Sequence, residues 1–319
     1  MMSSPRPFSC LLPVLLLVLS SCAKIGPPPP TPLTAAEEQF SKICREEMKY
    51  DVHVTRAGQT VWVYIPLTNN IFDIKASAKN QAPKAAPLKS WSIQFLESKF
   101  QDKTFAVSFD IEFTKKYDKD NGIQNKYSEE YSKKQREVLT ALTRAYFDVG
   151  RLPGDIIFKD KDKQKTHDNL VNTYLPPDRP PDFFVMVFAD IKRGIAAKTV
   201  TYFPDMKMAL ANPPAIPSEE FTKRYIAEIY GDPDLIGDKA GSHLKIEDIQ
   251  LPDFLAKQIE NRVKIKFTQS AFPPKDDAQT EIWTIVAETL RLYHFSDFQN
   301  IKLIDLKNEK ESLYDKSQL

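Results

Sequence analysis

The stretch DFFVMVFADI, residues 182–191, decides how this chain folds, because it is apolar at every position except near its two ends. A half-exposed strand or an amphipathic helix would carry polar residues at regular intervals within such a run. A strand that is buried on both faces has this composition instead. We therefore expect a central strand here, with a partner strand in AAKTVTYF, residues 196–203.

A hairpin is predicted earlier in the chain. DVHVTR (residues 51–56) and TVWVYIPL (residues 60–67) are rich in β-branched and aromatic residues, and Gly58 supplies the turn between them. Both alternating sets of side chains in the second segment are largely apolar, so it should be covered on both faces, with Trp62 and Tyr64 in structural positions. Further strands are predicted at residues 91–96, 104–113, 262–268 (RVKIKFT, with its lysines facing water) and 300–306 (NIKLIDL).

Amphipathic helices are predicted between these strands. The first begins at TAAE, residues 34–37, which has the spacing of a capping box. It places Cys44 on the same apolar face as Phe40, which indicates a core position rather than a reactive thiol. Apolar stripes with helical spacing also occupy residues 129–149, 219–230, 253–260 and 278–292.

The order of these elements predicts an α+β fold with mixed sheets and flanking amphipathic helices. Strands cluster early in the chain, whereas helices alternate with strands later. This change suggests two subdomains, residues 36–115 and 125–319, divided at a charged loop, with a single continuous sheet as the alternative. Helix and strand recur several times, but no residue pattern aligns between the repeats, so an internal duplication stays open.

The first residues of the chain have the features of a targeting segment. Arg6 is the only charged residue before position 22, and the apolar stretch at residues 8–19 is too short to anchor a protein across a bilayer. The sequence LSSC, residues 19–22, resembles the lipobox of bacterial lipoproteins. The resemblance implies a signal peptide over residues 1–21 and lipidation of Cys22, on its sulfur by diacylglycerol and usually on its amino group as well. An ordinary secretory signal is the alternative.

Four consecutive prolines follow within AKIGPPPPTP, residues 23–32. Such a run favours a stiff, extended backbone, so residues 22–35 are predicted to be a tether that holds the folded body away from the membrane. Two or three acyl chains anchor a protein far more durably than one, so the membrane is a predicted partner through Cys22. By resemblance to lipoprotein sorting, Ala23 suggests the outer membrane, facing the periplasm.

Charge and residue usage limit the function classes for the body. The whole chain has 44 basic and 43 acidic residues, and loss of Arg6 with the signal leaves a net charge of zero. This balance gives no reason to expect nucleic acid as a partner. The four histidines are far apart in sequence, and no phosphate loop or nucleophile elbow is present, so the sequence predicts no cofactor, no metal and no catalytic residues.

The end of the central strand is the one speculative contact site for a ligand or partner. Here the apolar run gives way to Asp190, Lys192, Arg193 and Gly194. In α/β proteins ligands gather beyond the carboxyl ends of central strands, where Asp190 could orient a polar group and the cations could meet an anion. The alternative is that Asp190 caps a turn while both cations stay solvated.

These observations favour a non-catalytic, membrane-anchored lipoprotein that acts as an interaction or structural module and binds other envelope proteins. The alternative is a periplasmic enzyme or a solute-binding lipoprotein, whose site would be assembled from residues distant in sequence.

Overall fold

A computed structural model describes residues 31–76, 88–116, 123–147, 161–162, 178–211, 213–269 and 277–319. The predicted signal peptide, Cys22 and most of the tether lie outside these residues, and so does most of the charged loop at the predicted subdomain boundary. No helix among the described residues is long and apolar enough to cross a membrane.

The strands and helices are named in chain order. The strands are β1 (His53–Ala57), β2 (Thr60–Leu67), β3 (Phe72–Ala76), β4 (Leu88–Gln101), β5 (Thr104–Lys116), β6 (Ile123–Tyr127), β7 (Phe183–Asp190), β8 (Ile195–Tyr202), β9 (Ile226–Gly231), β10 (Asn300–Asp305) and β11 (Lys310–Asp315). The α-helices are α1 (Ala35–Lys42), which continues as a π-helical turn (Ile43–Glu47), α2 (Glu129–Tyr146), α3 (Phe203–Leu210), α4 (Ser218–Arg224), α5 (Leu251–Gln269) and α6 (Ala278–Leu292).

Strand β7 lies at the centre of a five-stranded sheet with the order β1-β2-β7-β8-β9. It pairs in parallel with β2 and antiparallel with β8, and all eight of its residues are buried. On one face of the sheet, Val63 and Met186 pack under α1 and α2. On the other face, Trp62 and Val185 belong to a larger core that includes α5 and α6. The prediction that β2 and β7 are each covered on both faces is confirmed.

A second, four-stranded sheet has the order β11-β10-β5-β4. Its inner face contributes Phe105 and Val107 to the same large core. Helix α5 joins the sheets, since Phe254 packs against Phe183 of the first sheet and Phe267 packs edge-on against Trp91 of the second. The third sheet is the two-stranded antiparallel ribbon β3-β6. The predicted α+β class, with mixed sheets and flanking helices, is confirmed.

The two larger sheets share one plan. In the first, the hairpin β1-β2 meets the hairpin β7-β8 through the parallel pair β2-β7, and α2 precedes β7. In the second, β4-β5 meets β10-β11 through the parallel pair β5-β10, and α6 precedes β10. Each sheet therefore takes strands from both residues 36–115 and residues 125–319, so the pairing joins the two segments that the sequence divides.

Two secondary-structure predictions are wrong. RVKIKFT is part of α5 and not a strand, because Ile259, Val263 and Phe267 recur at helical spacing and are all buried. Residues 263–267 alternate between apolar side chains and lysines, which is also the pattern of a half-exposed strand. The helix predicted over residues 219–230 ends at Arg224, and its second half is the edge strand β9.

Candidate functional site

The residues singled out at the end of the central strand bind mainly one another. Asp190 is buried, and its carboxylate accepts hydrogen bonds from the main-chain N–H and the guanidinium of Arg193, both at 3.2 Å. Gly194 closes the β7-β8 turn with a φ of 63°, and a Cβ there would lie 2.7 Å from the carbonyl oxygen of Asp232. Asp190 therefore has the geometry of a turn cap. Of the four polar or glycine residues predicted to form a contact site here, Lys192 lines a cavity and the other three do not line it.

That cavity lies where β2 and β7 end. The two strands run in parallel and Leu67 pairs with Asp190, so their carboxyl ends meet at one edge of the sheet. The cavity has a volume of about 430 Å³, and its described lining includes four lysines, namely Lys49, Lys134, Lys192 and Lys239. Among the described residues that line it, only Asp51 is acidic. We call it the lysine cavity.

Four separate segments bring the lysines together. Lys49 follows the π-helical turn after α1 and has a left-handed φ of 58°. Lys134 lies in the second turn of α2, and Lys192 lies in the tight turn between β7 and β8. Lys239 belongs to the irregular segment that precedes α5. The parallel pairing of β2 and β7 brings the turn of Lys192 to the carboxyl end of β2, and the antiparallel pairing of β1 with β2 brings the segment of Lys49 to the same end. Side-chain hydrogen bonds from β2 and from Thr68, which follows it, hold the segments of Lys239 and Lys134 there.

The four lysines differ in their partners. Lys134 is largely buried, its Nζ lies 3.1 Å from Glu130 Oε1, and it sits 5.2 Å from the centre of the Tyr50 ring. Lys49, Lys192 and Lys239 are exposed, and none of them has an ion pair with a described residue. The cavity thus holds one neutralised cation and three that have no acidic partner within the described chain.

The carboxylates beside the cavity already accept hydrogen bonds from neighbouring side chains. Partial burial by itself raises the pKa of Glu130, but hydrogen bonds from Thr68 and Lys134 outweigh it, and the pKa of Glu130 lies below its usual value. The Tyr50 hydroxyl donates to Glu137, and burial together with this bond raises the pKa of Tyr50 well above its usual value. Tyr50 is therefore a neutral phenol whose proton already has an acceptor.

Residues 238–249, which we call the strap, cross the face of the five-stranded sheet and carry Lys239 to the cavity. Three side chains of β2 on one face bond the strap: Tyr64 donates to the Asp238 carbonyl at 2.6 Å, Trp62 donates to the Glu247 carbonyl at 2.9 Å, and Thr60 Oγ1 accepts from the Ile249 N–H at 2.8 Å. The structural positions predicted for Trp62 and Tyr64 agree with these bonds. Both side chains are also buried.

A second set of bonds fixes the strap next to Lys239. His243 Nδ1 lies 2.6 Å from Asp238 Oδ2, and Ser242 donates to the same oxygen at 2.9 Å. Partial burial by itself raises the pKa of Asp238, but hydrogen bonds from His243, Ser242 and main-chain N–H groups outweigh this effect. The pKa of Asp238 therefore lies well below its usual range. Because Ser242 and His243 both contact this one carboxylate, the cluster stabilises a loop rather than activating a nucleophile.

Two further cavities have a different character. One of about 520 Å³ lies between the edge of β4 and the strap, where acidic residues such as Glu97 and Glu228 alternate with Lys99 and Lys198. Another of about 200 Å³ has a mostly apolar lining without a charged residue among those described, and it lies beneath α2, α3 and α4. Neither concentrates one sign of charge as the lysine cavity does.

The structure places the remaining candidates for chemistry outside any site. Cys44 is completely buried, as predicted, and burial raises the pKa of its thiol to about 12. Within the described residues no three His, Cys, Asp or Glu side chains are placed to hold a metal ion.

Sequence reasoning missed most of the lysine cavity. Lys192 was found because it follows the central strand, whereas Lys49, Lys134 and Lys239 have no local signal that links them. The positions of Lys49 after α1 and of Lys239 in the strap indicate a shared site only when the pairing of the sheet is known. Comparisons with protein-family models, with curated proteins and with solved structures give no match for the chain.

Proposed function

We propose that the protein is a lipid-anchored envelope lipoprotein whose folded body is a non-catalytic binding module. Its anchor is a lipid on Cys22, as the resemblance of LSSC to a lipobox implies, and the proline-rich residues 22–35 tether the body to the membrane. By the sorting resemblance of Ala23, it resides in the outer membrane and faces the periplasm, where its partner is another envelope component.

The observation that carries a binding role is the lysine cavity. Its volume of about 430 Å³ falls within the ~300–1,000 Å³ that is usual for ligand pockets, and it lies at the carboxyl ends of a parallel strand pair. Three of its cations have no acidic partner in the described chain. An anionic group supplied by a binding partner would give them one.

The polar groups around the cavity favour binding over chemistry. The hydroxyls of Tyr50 and Thr68 both donate to glutamates, and Lys134 is paired with Glu130. The nearby Asp238, whose pKa is strongly lowered, has both carboxylate oxygens in contact with other residues of the strap. This arrangement supplies positive charge rather than a base beside a nucleophile.

A solute-binding role is the second candidate, and the volume of the cavity, about 430 Å³, is the observation that favours it. A small anion would then be the whole ligand, rather than a group on a larger envelope component.

Complementation of a deletion strain tests the proposal. Wild-type protein, Cys22→Ser and the triple variant Lys49→Gln/Lys192→Gln/Lys239→Gln are expressed to equal abundance, with Lys133→Gln as the control for loss of an exposed lysine next to Lys134. We expect the control to restore envelope integrity and both other variants to fail. Full complementation by Cys22→Ser would show that anchoring is not needed, and full complementation by the triple variant would exclude the cavity.

A further inference from the structure

We propose that the lysine cavity binds a phosphate group. This inference rests on the proposed function and names the chemical class of its ligand. The site is Lys49, Lys192 and Lys239 around the mouth of the cavity, with Lys134 and the ring of Tyr50 in its wall.

The charge of the cavity is local. The whole chain balances 44 basic residues with 43 acidic ones, whereas the part of the cavity lining that the structure describes has four lysines and one aspartate. That aspartate, Asp51, is well exposed, and its Oδ1 lies 3.6 Å from His53 Nε2. Glu130 neutralises Lys134, so within the described lining Asp51 offsets only part of the charge of the three exposed lysines, and the balance is positive.

The kinds of cation present favour phosphate over carboxylate. The planar fork of an arginine donates two parallel hydrogen bonds to either a carboxylate or a phosphate, whereas lysine is a common phosphate ligand that acts as a point charge. The arginine nearest in sequence, Arg193, does not line the cavity and is bound to Asp190. Ammonium groups are compact charges that can approach from several directions, which suits a tetrahedral anion of higher charge.

The wall of the cavity is held in place before any ligand arrives. Lys134 is fixed between Glu130 and the Tyr50 ring, and Tyr50 is itself fixed by Glu137. Lys239 is carried by the strap, whose Asp238 accepts hydrogen bonds from two main-chain N–H groups at 2.9 and 3.0 Å. Binding therefore needs to order only the ends of lysine side chains, which lowers its entropic cost.

Two sources of phosphate are compatible with this chemistry, a soluble phosphate compound and the headgroup of an anionic lipid. Two assays separate them, both with the full chain carrying Cys22→Ser so that the anchor does not contribute. Inorganic pyrophosphate is titrated calorimetrically. Co-sedimentation compares vesicles of phosphatidylcholine alone with vesicles that also contain phosphatidic acid.

We expect at least one assay to show binding that falls tenfold or more in Lys49→Gln/Lys192→Gln/Lys239→Gln and weakens as salt is raised. Lys133→Gln should bind like the parent, and equal unfolding midpoints should show that every variant is folded. Loss confined to pyrophosphate identifies a soluble ligand, and loss confined to anionic vesicles identifies a headgroup. Absence of binding in both assays, or equal binding by the triple variant, would overturn the inference. Because neither assay uses the lipid on Cys22, failure of the anchor leaves this result unaffected.

Discussion

The indole N–H of Trp62 donates a hydrogen bond to the main-chain carbonyl of Glu247, 2.9 Å away and 185 positions later in the chain. This bond fixes the strap to β2, and the flanking bonds of Thr60 and Tyr64 repeat it on the same face. The strap in turn delivers Lys239 to the lysine cavity. Side chains on one face of β2 thus hold the strap, and through it Lys239, in position at the lysine cavity.

Truncation of Trp62 should therefore destabilise the fold. Trp62→Ala removes a buried ring and leaves the Glu247 carbonyl without its donor, at a cost of about 3 to 5 kcal/mol in the free energy of unfolding. Trp62→Phe keeps most of the apolar contact and should cost about 1 to 3 kcal/mol for the lost bond. Denaturant unfolding measures both, with Leu313→Ala as an exposed control. If Trp62→Ala keeps full stability and loses only a partner, this face is an interface.

A buried ion pair joins α1 to the β1-β2 hairpin. Removing one partner should destabilise the fold, whereas removing both should cost much less than the sum of the two single changes. Arg56 Nη1 lies 2.6 Å from Glu37 Oε1, both side chains are inaccessible, and Tyr146 donates to the same oxygen at 3.1 Å. Arg56→Met leaves a buried carboxylate unpaired and should cost about 3 to 5 kcal/mol.

The double variant Glu37→Leu/Arg56→Met should lose much less than the sum of the two single changes, because no unpaired charge remains. The exposed pair Lys245–Glu247 is the matched control, and Lys245→Gln should change stability by about 1 kcal/mol or less. Additive losses at Glu37 and Arg56 would mean that the two residues do not act as a pair.

Asp238 should make the strap sensitive to acid. Its pKa is lower in the folded protein than the ordinary value of about 3.9, so its contribution to stability is present above that value and is lost as the pH falls through the folded pKa. Asp238→Asn should therefore flatten the decline of unfolding free energy below about pH 4 and lower stability at pH 7. Parallel curves for parent and variant across this acid range would show that the carboxylate is not stabilised by folding.

Cys44 should be unreactive while the protein is folded. A thiol with a pKa of about 12 is almost entirely protonated at pH 8, and this one is also inaccessible to solvent. Labelling with an alkylating reagent at pH 8 should thus be slow in buffer and fast in denaturant, in a chain carrying Cys10→Ser and Cys22→Ser so that Cys44 is the only thiol. Rapid labelling in buffer would show that the α1 end opens readily.

The sequence predicted the elements with strong local patterns and failed where tertiary contacts decide. β2 and β7 were predictable because both faces of each are apolar. RVKIKFT was not, because five alternating residues satisfy a strand period while Val263 and Phe267 also fit the helix that packs between the sheets. Of the four cavity lysines, Lys192 alone follows the end of a strand that the sequence predicts, which is where a ligand site is expected. Lys49, Lys134 and Lys239 meet it through a parallel pairing and a long strap, neither of which leaves a local pattern.

Mass spectrometry of the native mature protein tests the central claim, lipid anchoring, most directly. The N-terminal peptide should begin at Cys22 and carry the added mass of a diacylglycerol on its sulfur, with a further acyl group on its amino end. In detergent phase separation this protein should enter the detergent phase, and Cys22→Ser should remain in the aqueous phase. A mature chain that begins at another residue, or an unmodified Cys22, would contradict the account.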